Sequence, residues 1–185
     1  MVGSGRRFDL RNRMQAAHKR LDAAVGAFHT IDEYQRYVTR LGNFRGTMDV
    51  VLNQVIWPAG WSWRPTVIAK ILEMDAMDLG LPISRQASTY VDLTDTSALL
   101  GALYVLEGSA LGARILRQRA EILGFHETFG ARHLAVLTHD IGQWKSFLVV
   151  LDAAPDFDVE RAAGAANAVF AFALECFEDE LPVHQ

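Results

Sequence analysis

Apolar residues recur every three or four positions along most of the chain, which is the spacing of an amphipathic α-helix. The first such stripe covers residues 10–25 and stops at Gly26, a residue type that commonly follows a helix. Thr30 begins a second helix that the pattern carries to Trp57. Glu33 stands three residues after Thr30, which is the spacing of a capping box.

The second half of the chain shows the same periodicity with clearer interruptions. A shorter helix is predicted after Pro65, and the weak pattern from Met77 to Val91 indicates a loop. A long central helix is predicted from about Asp95 to Gly124. Two further helices are predicted, one over residues 133–151 and one over residues 159–181.

The periodicity predicts an all-α fold with about six to eight helices. The sequence contains no alternating strand pattern flanked by hairpin turns and no internal repeat. A chain of 185 residues can bury one substantial core. We therefore expect a flexible N-terminal segment over residues 1–7 and a single helical domain over residues 8–185.

The charge and apolar content narrow the classes of partner. A formal net charge of −4 gives no electrostatic reason to expect nucleic acid, whose phosphates are bound by Lys and Arg. The apolar runs fall short of the roughly 20 residues that span a bilayer, and the first residues lack the apolar core of a signal peptide. We expect a cytoplasmic protein with no membrane partner. Cys176 is the single cysteine, which excludes an internal disulfide and a cluster of thiolate ligands.

Gly108 and Gly112 lie in the middle of the strongest helical pattern, over residues 104–116. Each glycine costs a helix about 0.5 to 1 kcal/mol relative to alanine. Their spacing places both on one face, where a flat partner could approach the backbone, and it favours a bend in the helix. Close packing of two helices is the ordinary alternative for such a pair.

His18 lies on the apolar stripe of the first helix, between Met14 and Leu21, so we expect its side chain to face the interior. A buried imidazole can satisfy its two nitrogens by binding a metal with one and donating a hydrogen bond from the other. Asp22 stands one turn later, within reach of that donor. A core histidine bonded to a neighbouring group is the ordinary alternative.

A nitrogen ligand on one helix and a helix face without side chains together describe a slot for a planar metallocycle such as heme. Other constellations compete poorly. The chain has no Glu-x-x-His motif of a di-iron site, no phosphate-binding glycine loop and no nucleophile-elbow serine motif. His139 and Asp140 are adjacent and would point away from each other on a helix.

With these residues the chain resembles the heme oxygenases, in particular the bacterial branch that makes biliverdin for bacteriophytochromes. The N-terminal helix with His18 and Asp22 resembles the family's proximal helix, whose histidine ligates iron. Residues 103–116 resemble the distal helix and form the most specific part of the match. The resemblance implies an all-α, single-domain, heme-oxygenase-like bundle.

The resemblance also assigns the rest of the site. Lys145 and Arg11 are the cations that it implies for the heme propionates, and Phe170 and Phe177 are implied as aromatic walls. Many members carry aspartate directly after the first distal glycine, whereas this chain has Ser109. A serine hydroxyl can hold a water but supplies no charge. Gly108, Ser109 and Gly112 are thus the expected catalytic segment.

The activity implied by the resemblance is cleavage of heme, which is both substrate and cofactor, to biliverdin, carbon monoxide and ferrous iron. The reaction consumes O2 and reducing equivalents. Electrons would come from a separate reductase or ferredoxin, because the chain shows no flavin or nicotinamide motif. A bacteriophytochrome is the product acceptor that this branch implies.

Two alternatives remain open at this point. Ser109 is compatible with a non-catalytic heme or bilin carrier or sensor on the same scaffold. A heme-free helical enzyme of the thiaminase-like kind would share the helix arrangement but needs a nucleophilic cysteine. Cys176 stands among carboxylates that raise the pKa of a thiol and fits that role poorly.

Overall fold

The secondary structure is helical, as the pattern predicts. The computed structural model describes residues 3–82 and 91–178, and no strand longer than an isolated bridge occurs within those ranges. The described residues form eight helices: α1 (Gly3–Val25), α2 (Ile31–Asn53), α3 (Ala69–Asp78), α4 (Thr96–Gly108), α5 (Ala110–Ile122), α6 (Arg132–His139), α7 (Ile141–Ala153) and α8 (Val159–Glu178). The predicted all-α fold is confirmed.

Two predicted helices are each divided in the structure. The central helix is interrupted at Ser109, and the helix expected over residues 133–151 is interrupted at Asp140. Asp140 has extended backbone angles, and its carboxylate accepts the N–H of Gly142. It therefore acts as the N-cap of α7, a role for which aspartate is among the preferred residues.

Local capping signals set the boundaries of α1 and α2. Gly26 follows α1 with a φ of +64°, a conformation that glycine adopts without strain. Thr30 and Glu33 form the capping box that their spacing predicts. Helix α2 ends at Asn53, before Trp57. The expected loop at 77–91 lies partly outside the described residues, as does the C-terminal end predicted for the last helix.

The N-terminal residues differ from the expected flexible segment, because α1 already begins at Gly3. Arg6 donates to three carbonyl oxygens at the C-terminal end of α7, at 2.7 to 3.3 Å. Arg7 forms an ion pair with Asp152 in the same place. The boundary expected after residue 7 thus falls inside a helix, where Arg6 satisfies the last carbonyls of α7 and Arg7 pairs with a carboxylate beside them.

Helix α8 is the central helix of the bundle and packs against α1, α2 and α4. Its contact with α4 is so close that a Cβ atom added to Gly101 would lie 1.9 Å from the carbonyl oxygen of Ala162. Ala102 and Ala166 extend this interface and are fully buried. The close backbone packing that one would suspect at Gly108 and Gly112 occurs instead at Gly101.

Three buried charged side chains hold the segment that leads into α3. The guanidinium of Arg45 donates to the carbonyl oxygen of Thr66 at 2.6 Å, and Glu107 accepts the Thr66 N–H at 2.8 Å. Asp49 accepts two backbone N–H groups at the start of α3, at 2.8 and 2.9 Å. Burial raises the pKa of Glu107, and the Thr66 N–H opposes this only in part. Through the segment before α3, these contacts connect α2 to α4 at Glu107, the residue before Gly108.

The buried histidine of the described residues is His133, which is fully inaccessible together with Asp75. Asp75 lies 2.8 Å from Nδ1 of His133 and accepts the backbone N–H groups of His133 and Arg132. Burial lowers the pKa of His133, and Asp75 opposes this only in part. Burial acts to raise the pKa of Asp75, but its hydrogen bonds, chiefly from His133, lower it overall.

The His133 and Asp75 pair should make the protein sensitive to acid. Because the pKa of His133 is below its ordinary 6.5 in the folded state, the unfolded state binds the proton more readily, and the free energy of unfolding should fall below pH 6.5. The pKa of Asp75 is lowered below its ordinary 3.8 in the folded state. Its contribution to stability is therefore lost only as the pH falls below 3.8. Urea denaturation at pH 7.5, 6.5 and 5.5 measures how the free energy of unfolding changes with pH.

His133→Asn provides the comparison, because an amide N–H can replace Nδ1–H without titrating in this range. It should be less stable at pH 7.5 and should lose less stability between pH 6.5 and 5.5. The exposed His139 is the matched control, and His139→Asn should keep the wild-type slope. An equal pH dependence of stability in His133→Asn and wild type would contradict the assignment of the acid sensitivity to His133.

Gly101→Ala should destabilise the fold by about 3 kcal/mol, since a Cβ would overlap backbone atoms of Ala162 that cannot move separately. Gly164 on α8 is the control, because a Cβ there meets no atom within 4 Å. Gly164→Ala should gain about 0.5 to 1 kcal/mol from helix propensity alone. Urea denaturation compares the two, and a Gly101→Ala variant as stable as wild type would rule out the close contact.

Candidate functional site

The helix is interrupted at Ser109, between the two glycines, where the sequence predicts a bend, and we refer to this interruption as the bend. This residue keeps right-handed helical angles, and its N–H still donates to Val105, yet the N–H of Gly112 donates to the Ser109 carbonyl in a tighter, i to i−3 turn. The Ser109 hydroxyl donates to the carbonyl oxygen of Leu106 at 2.6 Å. Such a bond from serine to its own helix commonly accompanies a bend.

The two glycines at the bend are not required by helix packing. A Cβ at Gly108 would lie 3.7 Å from Cη2 of Trp144, which is an ordinary contact, and a Cβ at Gly112 would meet nothing within 4 Å. Alanine would therefore fit at both positions and would favour the helix by about 0.5 to 1 kcal/mol each. The close-packing alternative for this pair is thereby removed.

The helix face that carries Gly112 is apolar and exposed. Leu111 and Ile115 lie on it at helical spacing, and they are 58% and 57% exposed. Two large aliphatic side chains beside bare backbone form an apolar strip that water covers poorly. Such a strip is complementary to a flat apolar molecule.

Tyr104, one turn before Gly108, belongs to the same face and was not singled out by the sequence. Its ring meets that of Trp144 edge to face, with centroids 5.2 Å apart. Burial raises the pKa of its phenol, and the charges of Arg11 and Arg7 on α1 oppose this. The positive charges of α1 thus act on the face of α4 that leads to the bend. The i−4 spacing of Tyr104 from Gly108 is the sequence signal that could have identified it.

His18 is exposed, in contrast to the buried position that the apolar stripe predicts. Its side chain is 63% accessible, whereas Leu10 and Met14 fill the buried face of α1. His18 lies at the margin of that face, where its ring meets the edge of Phe170 at a centroid distance of 6.0 Å. The expected contact with Asp22 is present, since Nδ1 of His18 lies 2.9 Å from a carboxylate oxygen.

This arrangement leaves the second ring nitrogen of His18 accessible. A carboxylate accepts hydrogen bonds, so Asp22 favours the tautomer with the proton on Nδ1. The lone pair on Nε2 is then available to a ligand, as in the carboxylate–histidine–metal arrangement. An imidazole with an oriented second nitrogen at the surface could bind the iron of a heme.

The two predicted phenylalanines are both buried but lie in different surroundings. Phe170 is in contact with His18, as described above. Phe177 packs against Tyr37, with ring centroids 6.3 Å apart, and lines a cavity of about 180 Å³ with Phe28 and Arg36. The contacts of Phe170 associate it with the histidine, whereas those of Phe177 associate it with that cavity.

The two predicted propionate ligands are exposed cations. Arg11 and Lys145 form no ion pair with any described residue. The charge of Arg11 acts to lower the pKa of the Tyr104 phenol. Lys145 follows Trp144 in the sequence, and the indole of Trp144 meets the Tyr104 ring edge to face. Arg11 is thus associated with Tyr104, whereas Lys145 is related to the pair only as the sequence neighbour of Trp144.

Comparisons with known proteins find similarity to heme oxygenases in part of the sequence and in the fold. No family model matches the chain. Heme oxygenase PigA of Pseudomonas aeruginosa is 42% identical over 101 residues, which cover 53% of this chain and 50% of that protein. The match thus spans about half the length of this relative.

A solved structure shows the fold over nearly the whole chain. The heme oxygenase of Neisseria meningitidis, known from its NO- and CO-bound crystal structures, superposes with a TM-score of 0.70. The superposition covers 94% of this chain and 92% of that one at 23% identity. The chain thus has the fold of a heme oxygenase, and about half of it is similar in sequence to heme oxygenase PigA.

Proposed function

We propose that this protein is a heme oxygenase, which cleaves heme with O2 and external reducing equivalents to biliverdin, carbon monoxide and ferrous iron. One observation carries the proposal: two glycines interrupt an exposed, apolar helix face where packing would accept alanine. A flat ligand is the partner that benefits from bare backbone there. The sequence match to PigA over about half of the chain and the shared fold support heme as that ligand.

His18 is the residue proposed to hold the heme iron. Heme itself supplies the iron at which oxygen is activated and the porphyrin carbon that is oxidised. Nε2 of His18 donates its lone pair, and Asp22 keeps the proton on Nδ1 and fixes the plane of the ring. Phe170 supports the imidazole at its edge.

The apolar strip at the bend would exclude water and contribute most of the affinity. Leu111 and Ile115 are more than half exposed without a ligand, so covering them with a porphyrin removes apolar surface from water. The bare backbone at Gly112 lets the ring edge come close. Arg11 and Lys145 would pair with the propionates, and because exposed ion pairs are worth about 0 to 1 kcal/mol each, they orient the ligand more than they hold it.

Ser109 gives this site a proton route without an ionisable group. Its hydroxyl donates its only proton to Leu106, which leaves the oxygen lone pairs to accept a hydrogen bond from water. Ser109 is exposed, so that water exchanges with solvent. We propose that protons reach the site through water at the bend.

The proposed partners are an electron-donating reductase or ferredoxin and a bacteriophytochrome that accepts the product, in the cytoplasm. The segment Thr96–Ile122, taken as one helix, is long and apolar enough to cross a membrane by length and composition. Half of its most apolar window is buried inside the protein, as in the core helix of a soluble domain. We therefore retain the proposal of a protein without a membrane partner.

His18→Ala should abolish the absorbance spectrum of histidine-ligated heme and weaken heme affinity at least tenfold, which corresponds to about 1.4 kcal/mol. Because His18 is exposed, the free energy of unfolding should stay within about 0.5 kcal/mol of wild type. Heme titration followed by Soret absorbance measures the effect. His139→Ala, at another exposed histidine, is the control and should bind heme as wild type does. An unchanged spectrum in His18→Ala would remove this residue as the ligand.

Gly112→Leu should reduce turnover at least tenfold, because a side chain would occupy the place proposed for the ring edge. Its stability should not fall, since the added Cβ meets no atom within 4 Å and leucine is the better helix former. Gly164→Leu is the control on α8, where a Cβ is equally unhindered. Bleaching of the Soret band with reductant and O2 is the measurement, and full turnover in Gly112→Leu would contradict the slot. Gly108→Leu is less informative, because Trp144 already borders that position.

A further inference from the structure

The two glycines of the bend have unequal surroundings. The position of a Cβ at Gly108 is bordered by Cη2 and Cζ3 of Trp144, at 3.7 and 3.8 Å, whereas that at Gly112 is open. The bare strip is therefore bounded by an aromatic ring at one end and by solvent at the other. A planar ligand on this strip can slide or rotate toward Gly112 but not past Trp144.

The Trp144 ring is held firmly enough to act as a fixed boundary. Tyr104 meets it edge to face at 5.2 Å, and Phe147 lies 5.7 Å away at an interplanar angle of 32°. Phe147 is itself fully buried and packs against Trp63 at 5.2 Å. A ring packed against other aromatic rings has few alternative rotamers, so moving it would disturb the aromatic cluster behind it.

The polar contacts available to the ligand are weaker restraints than this ring. Arg11 and Lys145 are exposed, and exposed ion pairs are screened by water and salt. A heme has four meso carbons at its edge, and the carbon that is cleaved depends on how the ring is rotated in its plane. Two flexible cations favour one rotation of the heme in its plane, but a steric boundary excludes the other rotations.

On the basis of the proposed function, we propose that Trp144 determines which edge of the heme is cleaved. Its indole limits the in-plane rotation of the macrocycle on the strip between Gly108 and Gly112. Trp144 thus acts as a specificity-determining residue, and the iron contact at His18 is independent of it.

The experiment compares Trp144→Ala, Trp144→Phe and Trp63→Ala with wild type. Wild type should release one dominant biliverdin isomer, separated by chromatography after turnover. Trp144→Ala should raise the share of a second isomer at least tenfold, and Trp144→Phe should restore most of the selectivity. Trp63→Ala removes an equally large ring that belongs to the same cluster but does not border Gly108, and it should keep the wild-type isomer.

Proton NMR of the ferric complexes gives a second measure that does not need turnover. The paramagnetic iron spreads the heme methyl resonances according to the rotation of the ring, so Trp144→Ala should show a second set. If Trp144→Ala does not fold, Trp144→Leu tests the same boundary with more of the volume kept.

Two further outcomes separate this inference from the proposed function. Wild-type isomer ratios and a single set of resonances in Trp144→Ala, or a mixture of isomers from wild type, would overturn the role of Trp144 while leaving the oxygenase activity in place. A wild-type protein that neither binds nor bleaches heme would overturn the proposed function itself.

Discussion

The close contact between α4 and α8 at Gly101 and Ala162 is the constraint on which the candidate site depends. Because the two backbones touch there, α4 is buried along most of its length and ends in the core at Glu107. Glu107 is held by the Thr66 N–H, so the position of the next residue, Gly108, is set by the core and not by solvent. The helix leaves the core only at this point. Of α5 only Ala113 and Ala120 are buried, and its opposite face, with Leu111 and Ile115, is exposed.

Stability and the proposed function therefore place opposite demands on glycines of the same helical segment. At Gly101 the absence of a side chain stabilises the fold, because it permits a backbone contact that alanine would prevent. At Gly112 the absence of a side chain weakens the helix and relieves no contact of the protein itself. Such a local conflict between helix propensity and sequence is expected at functional positions.

The sequence predicts the parts of this structure that depend on near neighbours. The capping box at Thr30 and the bend between the glycines follow from residues a few positions apart. The sequence misassigns the buried histidine because burial depends on distant partners: Asp75 and His133 are 58 residues apart, and only the fold brings them together. The unequal surroundings of Gly108 and Gly112 likewise depend on Trp144 from another helix, and helical spacing alone cannot distinguish the two glycines.

The exposure of His18 strengthens its proposed role. The buried imidazole of His133, whose pKa burial lowers, cannot be reached from solvent. An imidazole on the surface is reachable but ordinarily rotates freely. The contact of Nδ1 with Asp22 and the ring contact with Phe170 restrict that rotation, while the side chain stays 63% accessible. A ligand position at the margin of the apolar stripe therefore suits metal binding better than one inside it.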